Sequence, residues 1–247
     1  MRKKTSAPQN AAGNILLYVL IGIALFAAFM FMITRGDQGS IDTSERAAMD
    51  AQQITSYAQK VYGAVQSVML QNDCRASQVD FTNSQISGYN GSGIAKCQVF
   101  GIDGGGMEKM ASPPAEAVDT AAAAAAGSGL AGSYIFEGNV CVNNAGTGPT
   151  DNGAGPACDS THSEIIMIMP WVTQEVCAQI DQITMNTTTI PTVSANTFDG
   201  TKFTGTLAGT YTIATGSKTY AAGCFESTGQ TSPPGTGYHF YEVLEAQ

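Results

Sequence analysis

Hydrophobic and polar positions follow three different patterns along the chain. From Ile15 to Ile33 there is no alternation: ILLYVLIGIALFAAFMFMI is 19 consecutive residues without a charge. As a helix rising about 1.5 Å per residue it would span roughly 28 Å, against a hydrocarbon core of about 30 Å. The run predicts a transmembrane helix over residues 14–35. Arg2, Lys3 and Lys4 precede it and Arg35 is the only basic residue just beyond it. The positive-inside rule then predicts a cytoplasmic N-terminus, with residues 36–247 on the far side. A cleaved signal peptide fits less well, because its apolar region is shorter and FMITRGDQ has no A-x-A pattern. A buried core helix is disfavoured because the run is apolar on every face.

The second pattern is periodic. Within residues 36–73, Ala47, Ala51, Ile54, Ala58, Val61, Val65 and Val68 recur at alternating steps of four and three. That stripe predicts an amphipathic helix lying along an apolar surface. Asp42 and Glu45 have the spacing of a capping box. Gly36 and Gly39 loosen the join to the preceding helix. The stripe has two readings: an assembly surface for neighbouring subunits, or the inner face of a helix covering its own domain.

The third pattern, over residues 74–247, is of short strand-like runs between Gly-, Asn- and Ala-rich loops. Strands are predicted over 133–142, 164–169, 209–216, 220–227 and 238–246 from their aromatic and β-branched residues. A helix is predicted over 170–184, opening at Pro170, with Val172, Val176, Ile180 and Ile183 on one face. GIDGGG (101–106), the alanine tract 121–126 and NNAGTGPTDNGAGPA (143–157) read as surface loops. The predicted fold class is α+β: a long N-terminal helix, transmembrane in one half and amphipathic in the other, then a β-rich, disulfide-bonded head with one additional helix.

Cysteine usage sets the chemistry of the head. Cys74, Cys97, Cys141, Cys158, Cys177 and Cys224 all follow the apolar run, and an even number in an exported segment argues for disulfides. Six cysteines allow 15 pairings. The sequential one, 74–97, 141–158 and 177–224, closes three local loops and is preferred. Each bridge would contribute about 2–4 kcal/mol. No C-x-x-C pair exists, and His162 and His239 lack ligand spacing, so no metal or other cofactor is expected.

Charge removes one class of partner. Every Asp and Glu lies beyond residue 36, where 7 Lys and Arg face 20 acids, 7 − 20 = −13. Such a surface repels phosphate backbones, so nucleic acid is not an expected partner. Catalytic signals are absent: GIDGGGMEKM has neither dinucleotide-binding nor Walker spacing, and no G-x-S-x-G occurs. The protein is read as a non-enzyme. Around His162, the acids Asp159 and Glu164 are better read as a solvated loop than as an acid–base pair. Asp151, Asn152, Asp159 and Glu164 lack the alternation and glycine of an EF-hand. Trp171, Tyr238, Phe240 and Tyr241 have the composition of a glycan platform, although strands bury aromatic residues routinely.

In order, the chain has a basic leader (1–13), a glycine, an uncharged helix, an amphipathic helix and a disulfide-bearing β-rich head. This layout resembles the type IV pilins and type II secretion pseudopilins. The resemblance implies cleavage by a prepilin peptidase between Gly13 and Asn14. It also implies packing of the apolar helices in a filament core and a place in the bacterial inner membrane, with the head periplasmic or displayed on an extracellular filament. The expected partners are then the lipid bilayer, the peptidase and other pilin-like subunits or further copies of the chain. The chain departs from the family at the fifth mature position, where Tyr18 stands in place of the usual glutamate. That departure points to a minor or tip subunit. The alternative function is a single-span envelope protein whose head binds a ligand or partner without polymerising.

Overall fold

The computed structural model describes residues 12–36, 38–89, 92–107, 110–127, 129–142, 163–194, 196–214, 220–229 and 236–245. The apolar run forms α1 (Ala12–Gly36) and the striped segment forms α2 (Gln38–Gln71). The chain divides into two compact units, Met1–Glu45 and Arg46–Gln247, so the division falls within α2. This corrects the expectation of one long N-terminal rod. It also places Asp42 inside a helix that has already begun at Gln38, not at its start.

The membrane expectation is corrected as well. Among the described residues, no helix is long and apolar enough to cross a membrane. The transmembrane helix, the lipid-bilayer partner and the inner-membrane location therefore have no support. The pilin-like architecture fails with them.

The body is built on one six-stranded sheet, nearly closed into a barrel. Its strands are β1 (Ile135–Val142), β2 (Glu164–Val172), β3 (Thr192–Val193), β4 (Tyr211–Ile213), β5 (Ala222–Ser227) and β6 (Gly237–Glu245), in the order β3-β5-β6-β2-β1-β4. The central strands β1, β2 and β6 are antiparallel, while β3 and β4 add short parallel edges. β2 is buried along its whole length, which explains the apolar run that follows Glu164. It continues through Pro170 and Trp171, where sequence had predicted the start of a helix. Pro170 pairs opposite His239, and the register shifts before Val172. A shift of this kind spares the ladder bond that proline cannot make. Helix α4 (Gln174–Met185) begins only after Thr173.

Both faces of the sheet are apolar. On one face, α2 and α4 bury Phe136, Met167, Phe240 and Leu244 of the sheet together with Ile54, Val61, Val65 and Ile180. On the other, Val140, Ile166, Ile168, Phe225 and Tyr241 pack with Val193 of β3 and Phe198 of the segment that follows it. The alanine tract, expected as a loop, forms the short helix α3 (Thr120–Ala125). Asp119 caps it, its Oδ1 accepting the Ala122 N–H at 2.9 Å.

Two disulfides tie the body together. Cys74 bonds Cys97 with Cα atoms 5.9 Å apart, and Cys177 of α4 bonds Cys224 of β5 with Cα atoms 5.5 Å apart. Cys141 is also disulfide-bonded, and Cys158 lies outside the described residues.

Candidate functional site

The residues singled out in the sequence are not brought together. Gly13 and Asn14 lie in the first turn of α1. The stripe Ala47, Ala51, Ile54, Ala58, Val61, Val65 and Val68 is buried, at most 5% exposed, and packs into the core of its own unit. It offers no free face for a neighbouring subunit. Trp171, Phe240 and Tyr241 are buried, so no aromatic platform is presented. His162, Asp159, Asp151 and Asn152 lie outside the described residues. Glu164 faces inward, its Oε2 accepting the Val142 N–H at 2.7 Å. His239 is neutral: burial drives its imidazole down to about 3, and its Nδ1 accepts the Trp171 N–H at 3.2 Å. The described residues contain no cluster of three or more His, Cys, Asp or Glu arranged to hold a metal.

Two other features have chemical character. The first lies on β1, where the polar triplet Glu137-Gly138-Asn139 interrupts an apolar strand. The β1–β2 register shifts between Glu137 and Val140, so β1 is bulged there. The chain at 198–210 runs along β1 at this point. Phe203 N–H donates to the Phe136 carbonyl at 2.8 Å, and Ala208 and Thr210 donate to the Gly138 and Asn139 carbonyls, each at 2.9 Å. Gly138 permits this approach, because a Cβ there would meet the Phe203 ring and lie 2.7 Å from the Thr206 carbonyl.

Glu137 is fully buried. Its Oε1 accepts the Gly200 N–H at 2.8 Å, while its Oε2 has no partner. Asn139 donates from Nδ2 to Asp199 Oδ1 at 3.1 Å, and its own Oδ1 is buried and unpartnered. Burial, then the neighbouring Asp199 carboxylate, pushes the Glu137 carboxyl up to about 8.

The second feature is on the surface. Leu70, in the last turn of α2, is 80% exposed, and Ile102 is 84% exposed, more than any other large apolar side chain described. Both lie next to segments that are hydrogen-bonded to one another. Asn72, just after α2, donates to the Lys96 carbonyl at 2.8 Å and accepts from Lys96 Nζ at 2.6 Å. The Ile102 turn is held by Gly105 N–H donating to the Gln98 carbonyl at 2.8 Å. A Cβ on Gly105 would lie 2.6 Å from the Val99 carbonyl and 3.0 Å from Ala64 Cβ, so this turn requires glycine. The Cys74–Cys97 bridge joins the same two segments.

Sequence reasoning named none of Glu137, Asn139, Asp199, Leu70 or Ile102. The signals were a polar triplet inside a predicted strand and an isoleucine inside a glycine-rich turn. No known family, curated protein or solved structure matches this chain.

Proposed function

We propose that the protein is a non-catalytic partner-binding module that works in an oxidising compartment, and that it docks through the surface carrying Leu70 and Ile102. The observation that carries this reading is the pairing of exposure with a cross-linked frame. Large apolar side chains exposed at 80% and 84% are held on a helix end and a glycine turn tied together by a disulfide. A preorganised apolar anchor loses little entropy on docking. Disulfides persist in oxidising compartments, which supports the location. The buried α2 stripe favours a module that acts singly over a helix-packed filament subunit.

The experiment is site-specific photocrosslinking from position 70 or 102 in the native source, with sedimentation of the purified chain alongside. Crosslinks to a distinct protein, lost on competition with unmodified chain, support the reading. Crosslinks only between copies of this chain, with sedimentation as a polymer, overturn it.

A further inference from the structure

The crossing of β1 by the segment Phe198–Phe203 holds two buried oxygen atoms without partners, Glu137 Oε2 and Asn139 Oδ1. Both residues also engage the same short turn. Glu137 accepts from Gly200 N–H, and Asn139 donates to Asp199, whose Oδ1 accepts the Thr201 N–H at 2.8 Å as well. Two acceptors cannot satisfy one another, and leaving both buried and unpaired is costly. A single proton on Oε2 resolves both deficits, since a protonated carboxyl is a donor.

We propose that Glu137 is a proton-operated latch: its protonated Oε2 donates to Asn139 Oδ1 and clamps the segment Phe198–Phe203 on β1, and loss of that proton to solvent releases the segment. This inference does not depend on the docking surface.

The groups around Glu137 set the direction. Burial and then the Asp199 carboxylate disfavour its ionisation, and the Gly200 and Asp199 N–H groups and the Lys202 ammonium partly offset this. The phenols of Tyr89 and Tyr211 also face it, and both are pushed above the usual phenol range, so they stay neutral while Glu137 titrates. From β2, the residue opposite is the apolar Ile166. Ionisation would therefore put a second negative charge beside Asp199 in a buried pocket, opposed by the Gly200 and Asp199 N–H groups and the Lys202 ammonium, which do not offset burial and the like charge. Oε2 and Asn139 Oδ1 would then both be buried acceptors without a donor. The hydrogen bonds of Gly200 and Phe203 to β1 are the ones that must yield.

The test is amide hydrogen exchange on the full chain from pH 5 to pH 10, corrected for intrinsic rates, with thermal melts alongside. In the natural protein, protection at Gly200 and Phe203 should fall once the carboxyl ionises, by about tenfold for each pH unit beyond it. In Glu137→Gln the amide donates permanently to Asn139 and still accepts from Gly200. Its protection should be flat with pH, and its melting temperature should match the natural protein at pH 5 and exceed it at pH 9. Asp199→Asn removes the like charge, so opening should shift to lower pH.

Flat protection in the natural protein overturns the latch, and so does a Glu137→Gln variant that is less stable at both pH values. An opening midpoint that Asp199→Asn leaves in place also counts against it. If calcium chloride restores protection at pH 9 and a chelator removes it, the two oxygens hold a cation instead of a proton, and the latch is overturned.

Discussion

The two faces of the sheet treat buried polar groups differently. On the face covered by α2, polar side chains of the helix reach the sheet's acids. Gln59 Nε2 donates to Glu242 Oε1 at 2.7 Å, and Gln66 Nε2, two turns on, donates to the Leu244 carbonyl at 3.1 Å. On the opposite face the donor to a buried acid is backbone: Gly200 N–H reaches Glu137 Oε1 at 2.8 Å. There Glu137 Oε2, Ser227 Oγ and His239 Nε2 are buried without partners. A helix delivers side chains at a fixed pitch, so a donor seven residues along meets the same strand. A connecting segment offers donors only where its path happens to place them. Both faces retain buried acids, Asp181 of α4 with an unpartnered Oδ2 on one and Glu137 with an unpartnered Oε2 on the other, and what differs is that α2 supplies side-chain donors on the first, whereas the donor on the second is a backbone N–H group.

The largest effect that would test this contrast is on the helix face. Phe136 stacks on Phe81 with ring centroids 4.3 Å apart and packs near Tyr89 and Phe100. Phe136→Ala should cost about 3–5 kcal/mol, measured by denaturant unfolding at pH 6. Next comes the link between α4 and the sheet. Replacing Cys177 and Cys224 together by serine should cost about 2–5 kcal/mol, and reductant should then no longer affect that part of the unfolding free energy. If the double variant unfolds like the natural protein, α4 is held by packing alone.

Removing a polar reach of the helix should matter less. Gln59→Ala leaves the buried Glu242 without its donor and should cost about 1–3 kcal/mol. Burial already pushes Glu242 up to about 8. The sign of the pH dependence is a balance of three buried acids against His239, whose fall from 6.5 to about 3 makes its own contribution rise with pH below about 6.5 and offsets one of the three. Glu137 and Glu242 rise from 4.5 to about 8, and Asp181 from 3.8 to about 7, burial being the largest cause in each. Between the unfolded and folded values the native state binds more protons than the unfolded chain, so stability should fall as pH rises. Melts across pH 4 to 9 should show a decline that sets in near 4 and levels off above about 8. A rise over that window would mean that these carboxyls ionise in the folded state. The smallest effect belongs to the docking surface. Leu70→Ser and Ile102→Ser should change stability by less than about 0.5 kcal/mol while abolishing the crosslinks described above.

Much of the fold was legible. The period of the stripe located α2, and β-branched and aromatic runs located β1, β2, β5 and β6 to within a few residues. The misread elements have physical causes. Pro170 looked like a helix start because proline suits a first turn, yet it sits in a strand because the register shift beside it relieves the missing N–H. The alanine tract looked like a loop by context, and the Asp119 cap and packing against Trp171 make it a short helix. The apolar run looked like a membrane span because its length and charge pattern fitted one. The candidate site was hardest to read. Glu137 and Asp199 are more than sixty residues apart in the chain, and no local period links them.

The amino-acid pattern by itself located the striped helix α2 and most of β1, β2, β5 and β6. These depend on local geometry and composition, which travel with the residues. Tertiary structure alone decided that the α2 stripe faces its own core, that Glu137 lies beside Asp199, and that Leu70 and Ile102 are carried on one bridged frame. Those outcomes depend on which distant segments meet, and a residue's charge state and exposure are properties of that meeting.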